Sequence, residues 1–283
     1  MEPVIPELLR TILATKRPTN NPSFNYNFTC KLLRDLLIYH HCDEHYNISV
    51  IIGDKPNTMF TAHTDTVDRT LGENNLEIEN SYIFANPPSV LGADCGAGMY
   101  ILIQMILANK PGLYVFFSQE EQGGIGSQQY QLPYKGITKC ISFDRKGTDS
   151  LITHQMGEQG CSKEFAEYFT QNFPLPFKED PTGVFTDSYT FFDSIPECVN
   201  LSVGYYQEHT KYEYLDLDFV LAMSQACIEF DWGKLPVGER TDEIPIYPNI
   251  DLEDFCWRHP DIVAAVLIDY GITIKDLEDY YYE

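Results

Sequence analysis

Residues 58–65, Thr58-Met59-Phe60-Thr61-Ala62-His63-Thr64-Asp65, read as an apolar strand that runs into a histidine and, two positions on, an aspartate. Three further runs have the same build. Residues 113–117 lead into Glu120 and Glu121, residues 138–143 into Asp144, and residues 198–203 towards His209. Asp94, in Leu91-Gly92-Ala93-Asp94-Cys95-Gly96, completes a set of His, Asp, Glu, Asp and His. In an open α/β sheet the carboxyl ends of strands are where ligands bind, so residues far apart in sequence can converge on one rim. Taken singly, each has an ordinary reading: Asp94 as a helix N-cap, Glu120 and Glu121 as a solvated pair, Asp144 with Arg145 as a surface ion pair, His209 as an exposed loop histidine. Their joint occurrence at strand ends points instead to two divalent cations.

Imidazole and carboxylate ligands suit zinc, and a catalytic zinc keeps one position for water. Paired metals sit roughly 3.5–4 Å apart. Five protein ligands serve two such ions only if one carboxylate is shared. Strand side chains alternate with period two, so Asp65 lies on the same side as His63 and can orient its ring. Glu120 and Glu121 leave their strand in different directions, which lets one bind metal while the other acts as general base. The Gly-rich turn that follows, Gln122-Gly123-Gly124-Ile125-Gly126-Ser127, lacks the Gly-Lys-Ser/Thr element of a phosphate-binding loop.

The chain has 283 residues, 43% of them hydrophobic, enough for a sizeable core. A net charge of −23 argues against nucleic acid, whose phosphates would be repelled. No apolar run is long enough to span a bilayer, and the start of the chain has neither a basic region nor a cleavage site, so a cytoplasmic protein is expected. The eight cysteines are scattered without a C-x-x-C pair and read as buried free thiols. The cluster His40-His41-Cys42-Asp43-Glu44-His45 is weighed as a separate metal site, against histidines at a helix end, where the dipole favours them.

Apolar spacing predicts helices over 4–15 and 27–40, then strands over 47–53 and 58–62 joined as a hairpin at Asp54-Lys55-Pro56-Asn57. A second hairpin is expected over 76–85, pivoting on Asn80-Ser81. Helices at 96–109, 162–172, 186–192 and 217–230 then alternate with strands at 113–117, 137–143, 150–154 and 198–203. This is an α/β pattern, a mixed and mostly parallel sheet with helices on both faces. From Pro236 the chain turns Pro-rich and acidic, with short helices expected over 260–270 and 274–282. Residues 1–235 are therefore read as a catalytic domain and 236–283 as a helical appendage.

The order of these five motifs, from about Ile5 to Phe230, resembles the co-catalytic zinc exopeptidase superfamily, which contains leucine-type aminopeptidases, tripeptidase-like and carboxypeptidase-like enzymes and related deacylases. That resemblance implies that His63, Asp94 and Asp144 hold one zinc, and that Asp94, Glu121 and His209 hold the other. It implies Asp94 as the bridge, Glu120 as the base and Asp65 as the residue behind His63. Residues 183–188 (GVFTDS) look like the family's substrate-side segment, with Asp187, Arg145 and Tyr206 as candidates for substrate contact. Relatives carry Asp or Asn after the bridging aspartate, where this chain has Cys95, and a cis peptide is expected between Asp94 and Cys95. The intervals from Asp65 to Asp94 and from Asp144 to His209 leave no room for a lid domain, as in the compact aminopeptidase branch. The activity implied is cleavage of a peptide or amide bond, with short peptides as substrates. The alternatives are an N-acyl amino acid deacylase, a carboxypeptidase, or a non-catalytic binding protein on the same fold.

Overall fold

The computed structural model describes residues 4–241 and, beyond them, only isolated positions. The chain divides into two compact units, Met1–Glu243 and Ile244–Glu283, and the helices expected over 260–270 and 274–282 lie outside the described residues. Named in chain order, the strands are β1 (His41–Cys42), β2 (Ile48–Ile52), β3 (Thr58–His63), β4 (Leu76–Glu79), β5 (Tyr82–Ala85), β6 (Gly112–Phe117), β7 (Lys139–Arg145), β8 (Ser150–Ile152), β9 (His154–Gln155), β10 (Glu158–Gln159), β11 (Lys178–Asp180), β12 (Glu197–Ser202), β13 (Tyr205–Tyr206) and β14 (Tyr214–Asp216). Eight of them form one sheet in the order β1-β2-β6-β3-β7-β12-β8-β11, and β13-β14-β5-β4 form a smaller one. The helices are α1 (Glu7–Ala14), α2 (Pro22–Asp35), α3 (Ala93–Leu107), α4 (Ile125–Gln129), α5 (Lys163–Asn172) and α6 (Leu217–Glu229).

At the centre of the large sheet β3 runs parallel to both β6 and β7, and β12 runs parallel to β7. The carboxyl ends of all four strands therefore open on one rim. Every residue of β3 and β6 is buried, because both sheet faces are covered. Met59, Val115, Phe117 and Cys140 face one side, where Phe191, Phe192 and Ile195 cover them. Phe60, Ala62, Phe116 and Phe143 face the other, with Leu9, Ile12 and the apolar residues of α3. Helix α3 is apolar nearly all round, as a helix buried on most sides must be. Its Gly98 lets it approach the sheet: a Cβ there would lie 2.2 Å from the Phe143 carbonyl oxygen.

The hairpin over 76–85 forms, with Asn80 and Ser81 both at positive φ (49° and 67°), the turn whose twist suits paired strands. The one expected at residues 54–57 does not. Strand β6 inserts between β2 and β3, antiparallel to the first and parallel to the second. Burial explains the exchange: β6 takes the central place with every residue covered, and β2, partly exposed, is pushed outward. Helix α2 also stops earlier than its spacing suggests. Leu37 enters the left-handed region (φ 58°) and Ile38 N–H bonds the Leu33 carbonyl at 2.9 Å, a helix-ending turn that usually recruits glycine. The segment 187–191 is a short 3₁₀ helix. Among the described residues no helix is long and apolar enough to cross a membrane.

Candidate metal centre

His63 ends β3, Asp144 lies near the end of β7, Glu120 and Glu121 form a 3₁₀ turn just after β6, and Asp94 sits in the first turn of α3. His209 follows β13 on an exposed loop. The fold brings all five expected ligands together. His63 Nε2 lies 3.0 Å from Asp94 Oδ1 and 3.2 Å from Asp144 Oδ1. His209 Nε2 lies 3.0 Å from Asp94 Oδ2 and 3.1 Å from Glu121 Oε2. Asp94 thus presents one oxygen to each histidine.

Two ligand atoms on one tetrahedral zinc are separated by roughly 3.3 Å, given metal–ligand bonds of about 2.0–2.2 Å. The four contacts, 3.0–3.2 Å, come within a few tenths of an ångström of it. A histidine N–H offers a single proton, so it cannot serve two carboxylates well, whereas a cation at the centre of each trio can. Buried Glu121 Oε1 has no hydrogen-bond partner, and the six clustered carboxylates (Asp65, Asp94, Glu120, Glu121, Asp144, Asp187) face only two histidines. The donor set and its excess negative charge fit divalent cations.

Two buried residues hold the Asp94 turn from opposite sides. Glu213, 1% exposed, accepts the backbone N–H groups of Leu91, Gly92, Ala93 and Asp94 at 2.8–3.0 Å. Arg17, fully buried, donates to the carbonyls of Gly92 and Thr64 at 3.0 Å and reaches Cys95 Sγ at 3.4 Å. Neither is marked in the sequence, where an isolated charge reads as solvated surface. The cis peptide expected after Asp94 is absent: among the described residues the cis bond is Asn86–Pro87. The turn is accommodated instead at Cys95, whose φ of 69° and ψ of −33° are non-helical and whose thiol donates to the Asp65 carbonyl at 3.0 Å.

Asp65 is fully buried and lies 3.5 Å from His63 Nδ1, a charge contact longer than a good hydrogen bond. Its two oxygens accept instead from the backbone N–H of Glu120 at 3.1 Å and of Glu121 at 3.3 Å. It therefore holds the acidic turn as well as backing the histidine. The base of that turn is tied to Asn47, which accepts from Ser118 N–H and donates to the Gly126 carbonyl. Asp144 is fixed by its neighbours: its Oδ2 accepts from Thr186 at 2.6 Å, and its backbone N–H donates to Asn200.

Of the substrate-side candidates, Asp187 is buried beside the cluster and its Oδ1 has no partner. Arg145 reaches away to Asp180 and Thr182, at 3.4 and 3.5 Å. Tyr206 stacks on Tyr214 with ring centres 5.0 Å apart.

Burial pushes the Glu120 carboxyl well up; His63 opposes this, and Asp144, Asp187 and Glu121 add to it. Burial likewise raises Glu121 and Asp144, and takes Asp187 to about 7. Asp94 is held below the usual carboxylate range, because His209 and His63 outweigh the burial that would raise it. For His209 burial acts downward, yet contact with Asp94 and Glu121 takes it to about 11.

In sequence, no family model and no curated protein matches the chain. In structure it is similar to a tripeptidase from Staphylococcus aureus, with a TM-score of 0.65 and 13% identity over 78% of this chain and 95% of that one. Aminopeptidase PepT from Bacillus cereus gives 0.62 at 13% identity, covering 78% of this chain and 95% of the other. An aminopeptidase from the archaeon Desulfurococcus kamchatkensis gives 0.61 at 12% identity, covering 87% and 98%. The chain has the fold of these peptidases, and the likeness expected from the motif order holds at that level.

Proposed function

We propose that the chain is a metal-dependent aminopeptidase acting on short peptides. The observation that carries this reading is the division of Asp94 between His63 and His209, each of which has one further carboxylate beside it. His63, Asp94 and Asp144 would hold one divalent cation, and Asp94, Glu121 and His209 the other. Zinc suits this mixture of imidazole and carboxylate. When bound, such ions acidify water and polarise a carbonyl.

The chain's own residues supply the rest. Glu120, with its carboxyl buried beside the cluster and not among the expected ligands, accepts the proton of the attacking water and passes it to the departing amine; burial raises its affinity for that proton. Asp65 keeps Glu120 and Glu121 in register with His63 through the two N–H groups it accepts. Asp187, beside Glu120, is the candidate for substrate contact. The fold shared with a tripeptidase and aminopeptidases favours peptides as substrates. All eight cysteines are free thiols, which suits a reducing cytoplasm.

The test separates chemistry from metal binding. Glu120→Gln is expected to keep both metals while peptidase activity falls on the order of 10²–10⁴-fold, the usual contribution of a general base. Glu121→Gln is expected to lose or weaken one metal, because an amide replaces a carboxylate ligand poorly. Metal analysis beside activity assays decides: loss of metal from Glu120→Gln alone reverses the two roles, and near-full activity in both variants ends the two-metal reading.

A further inference from the structure

We propose that Cys30, His40 and Cys42 form a separate, sulfur-rich site that binds one zinc ion at the β1 edge of the large sheet. The two sulfurs lie 3.6 Å apart, and both lie within 4.8 Å of a ring nitrogen of His40. The site shares no residue with the Asp94 cluster and does not depend on the peptidase reading.

The local fold creates it. Cys30 is a buried residue on α2, twelve positions before Cys42. The turn at Leu37 and Ile38 reverses the chain, so that β1 returns Cys42 to the Cys30 side of the helix. A disulfide would need sulfurs at about 2.05 Å. Two thiolates on a tetrahedral zinc, with bonds of about 2.3 Å, stand roughly 3.8 Å apart, close to the separation seen. Two hydrogen-bonded thiols would share that spacing, but they would need no imidazole. His40 Nδ1 lies 3.0 Å from the Ile38 carbonyl and so carries the ring proton, which leaves Nε2 with its lone pair. Such fixing of the tautomer by a backbone carbonyl is the usual support of a metal-bound histidine.

Charge and softness agree. Two thiolates and one neutral imidazole make a neutral unit with Zn²⁺, which a half-buried position tolerates. Binding releases the two thiol protons to solvent. Because both thiols must give up a proton to bind, affinity rises with pH. Thiolate ligands also set this site apart from the Asp94 cluster, whose ligand atoms are nitrogen and oxygen. The ion would pin β1 to α2. Asp43, next in the chain, holds the backbone N–H groups of His45 and Asn47, and Asn47 braces the turn that carries Glu120 and Glu121.

The experiment is a cobalt(II) titration of the reduced full chain, followed by the sulfur-to-cobalt charge-transfer band in the near ultraviolet. Cobalt(II) takes the same tetrahedral sulfur and nitrogen ligands, and the Asp94 cluster, with no sulfur ligand, contributes nothing to that band. Because the Asp94 cluster can also take cobalt without adding to the band, the band is expected to saturate at the intensity of one sulfur-ligated cobalt per chain. Cys42→Ser, at an exposed position that a serine fills without repacking, is expected to abolish it, and His40→Ala to weaken affinity by at least about tenfold. Glu121→Gln is expected to leave the band unchanged whatever it does to peptidase activity, so failure of either reading is distinguishable from failure of the other. The proposal is overturned if the reduced chain gives no band, if the band survives Cys42→Ser, or if the chain under reducing conditions has the mass of a Cys30–Cys42 disulfide.

Discussion

Glu213 is the residue on which the position of Asp94 rests. Its two oxygens accept four successive N–H groups, two each, and no other side chain could do this with the same reach. In Glu213→Gln an amide nitrogen would face two N–H donors, so above about pH 7, where the carboxyl is ionised, two hydrogen bonds to a charged group are lost and a donor clash is gained. At roughly 1.5–3 kcal/mol for each such bond, a destabilisation on the order of 3 kcal/mol is expected. Because the strained turn begins at Asp94, metal affinity is expected to fall as well. Denaturant melts and metal stoichiometry on the purified variant check both, and wild-type values for either would contradict this account. Asp94 and His63 were legible in the sequence because strand ends and a helix start mark them. Glu213 was not: in Lys211-Tyr212-Glu213-Tyr214 nothing local distinguishes a buried acceptor of four bonds from a solvated charge. Arg17 is hidden for the same reason: besides the nearby carbonyls of Ile12 and Thr15, its partners lie far off in sequence at Thr64, Gly92 and Cys95.

Elements were readable where local signals and burial agree. Helix α5 starts after Ser162, whose hydroxyl accepts from Phe165 N–H, and α6 after Asp216, which accepts from Phe219 N–H; both boundaries carry their capping residue in the sequence. Helix α3 and the strands β3, β6, β7 and β12 stood out as apolar runs bounded by turn residues. What escaped was partnership. Whether β2 pairs with β3 or admits β6 between them depends on a crossover that no tetrapeptide encodes, and the turn at residues 54–57 serves either arrangement. The end of α2 is not legible, because Leu37 adopts a positive φ that its side chain disfavours, a choice made by packing and not by propensity. Strand β11 has only three residues, two of them exposed, too short for any period to register.

For the whole molecule, the clustered carboxyls tie stability to pH in a way that depends on bound metal. Burial and neighbouring charges take Asp187 and Glu213 to about 7, and contact with two carboxylates takes His209 to about 11. Each folded value lies above the ordinary one, so the folded chain holds a proton longer than the unfolded chain does. The stability this lends is present at low pH and is lost as pH rises through the folded values. Asp94, shifted downward, acts in the opposite sense, but its window lies below the ordinary carboxylate value of 3.8. The metal-free chain is therefore expected to lose melting temperature from about pH 4, where Asp187 and Glu213 begin to ionise in the unfolded chain, to about pH 11, where His209 gives up its proton in the folded one. With metal bound the His209 proton is displaced by the ion and the cations' charge favours ionised Asp187, so the slope flattens or reverses. Parallel melts of chelated and metal-loaded protein across that range test this; a metal-free melting temperature that climbs with pH would refute it.

The unequal exposure of the two histidines has a kinetic consequence. The His63 side chain is 1% exposed, whereas that of His209 is 48% exposed and hangs from a loop at positive φ. If each histidine holds one cation, the outer ion can shed a ligand by a loop fluctuation, while the inner one must wait for the sheet rim to open. The inner ion is then the slow-exchanging partner, and a half-loaded chain becomes the ordinary waypoint of both filling and emptying. Dilute chelator is expected to remove the ions in two separated phases, the first quickened by His209→Ala and the second not, and simultaneous departure of both would show that the loop does not govern exchange.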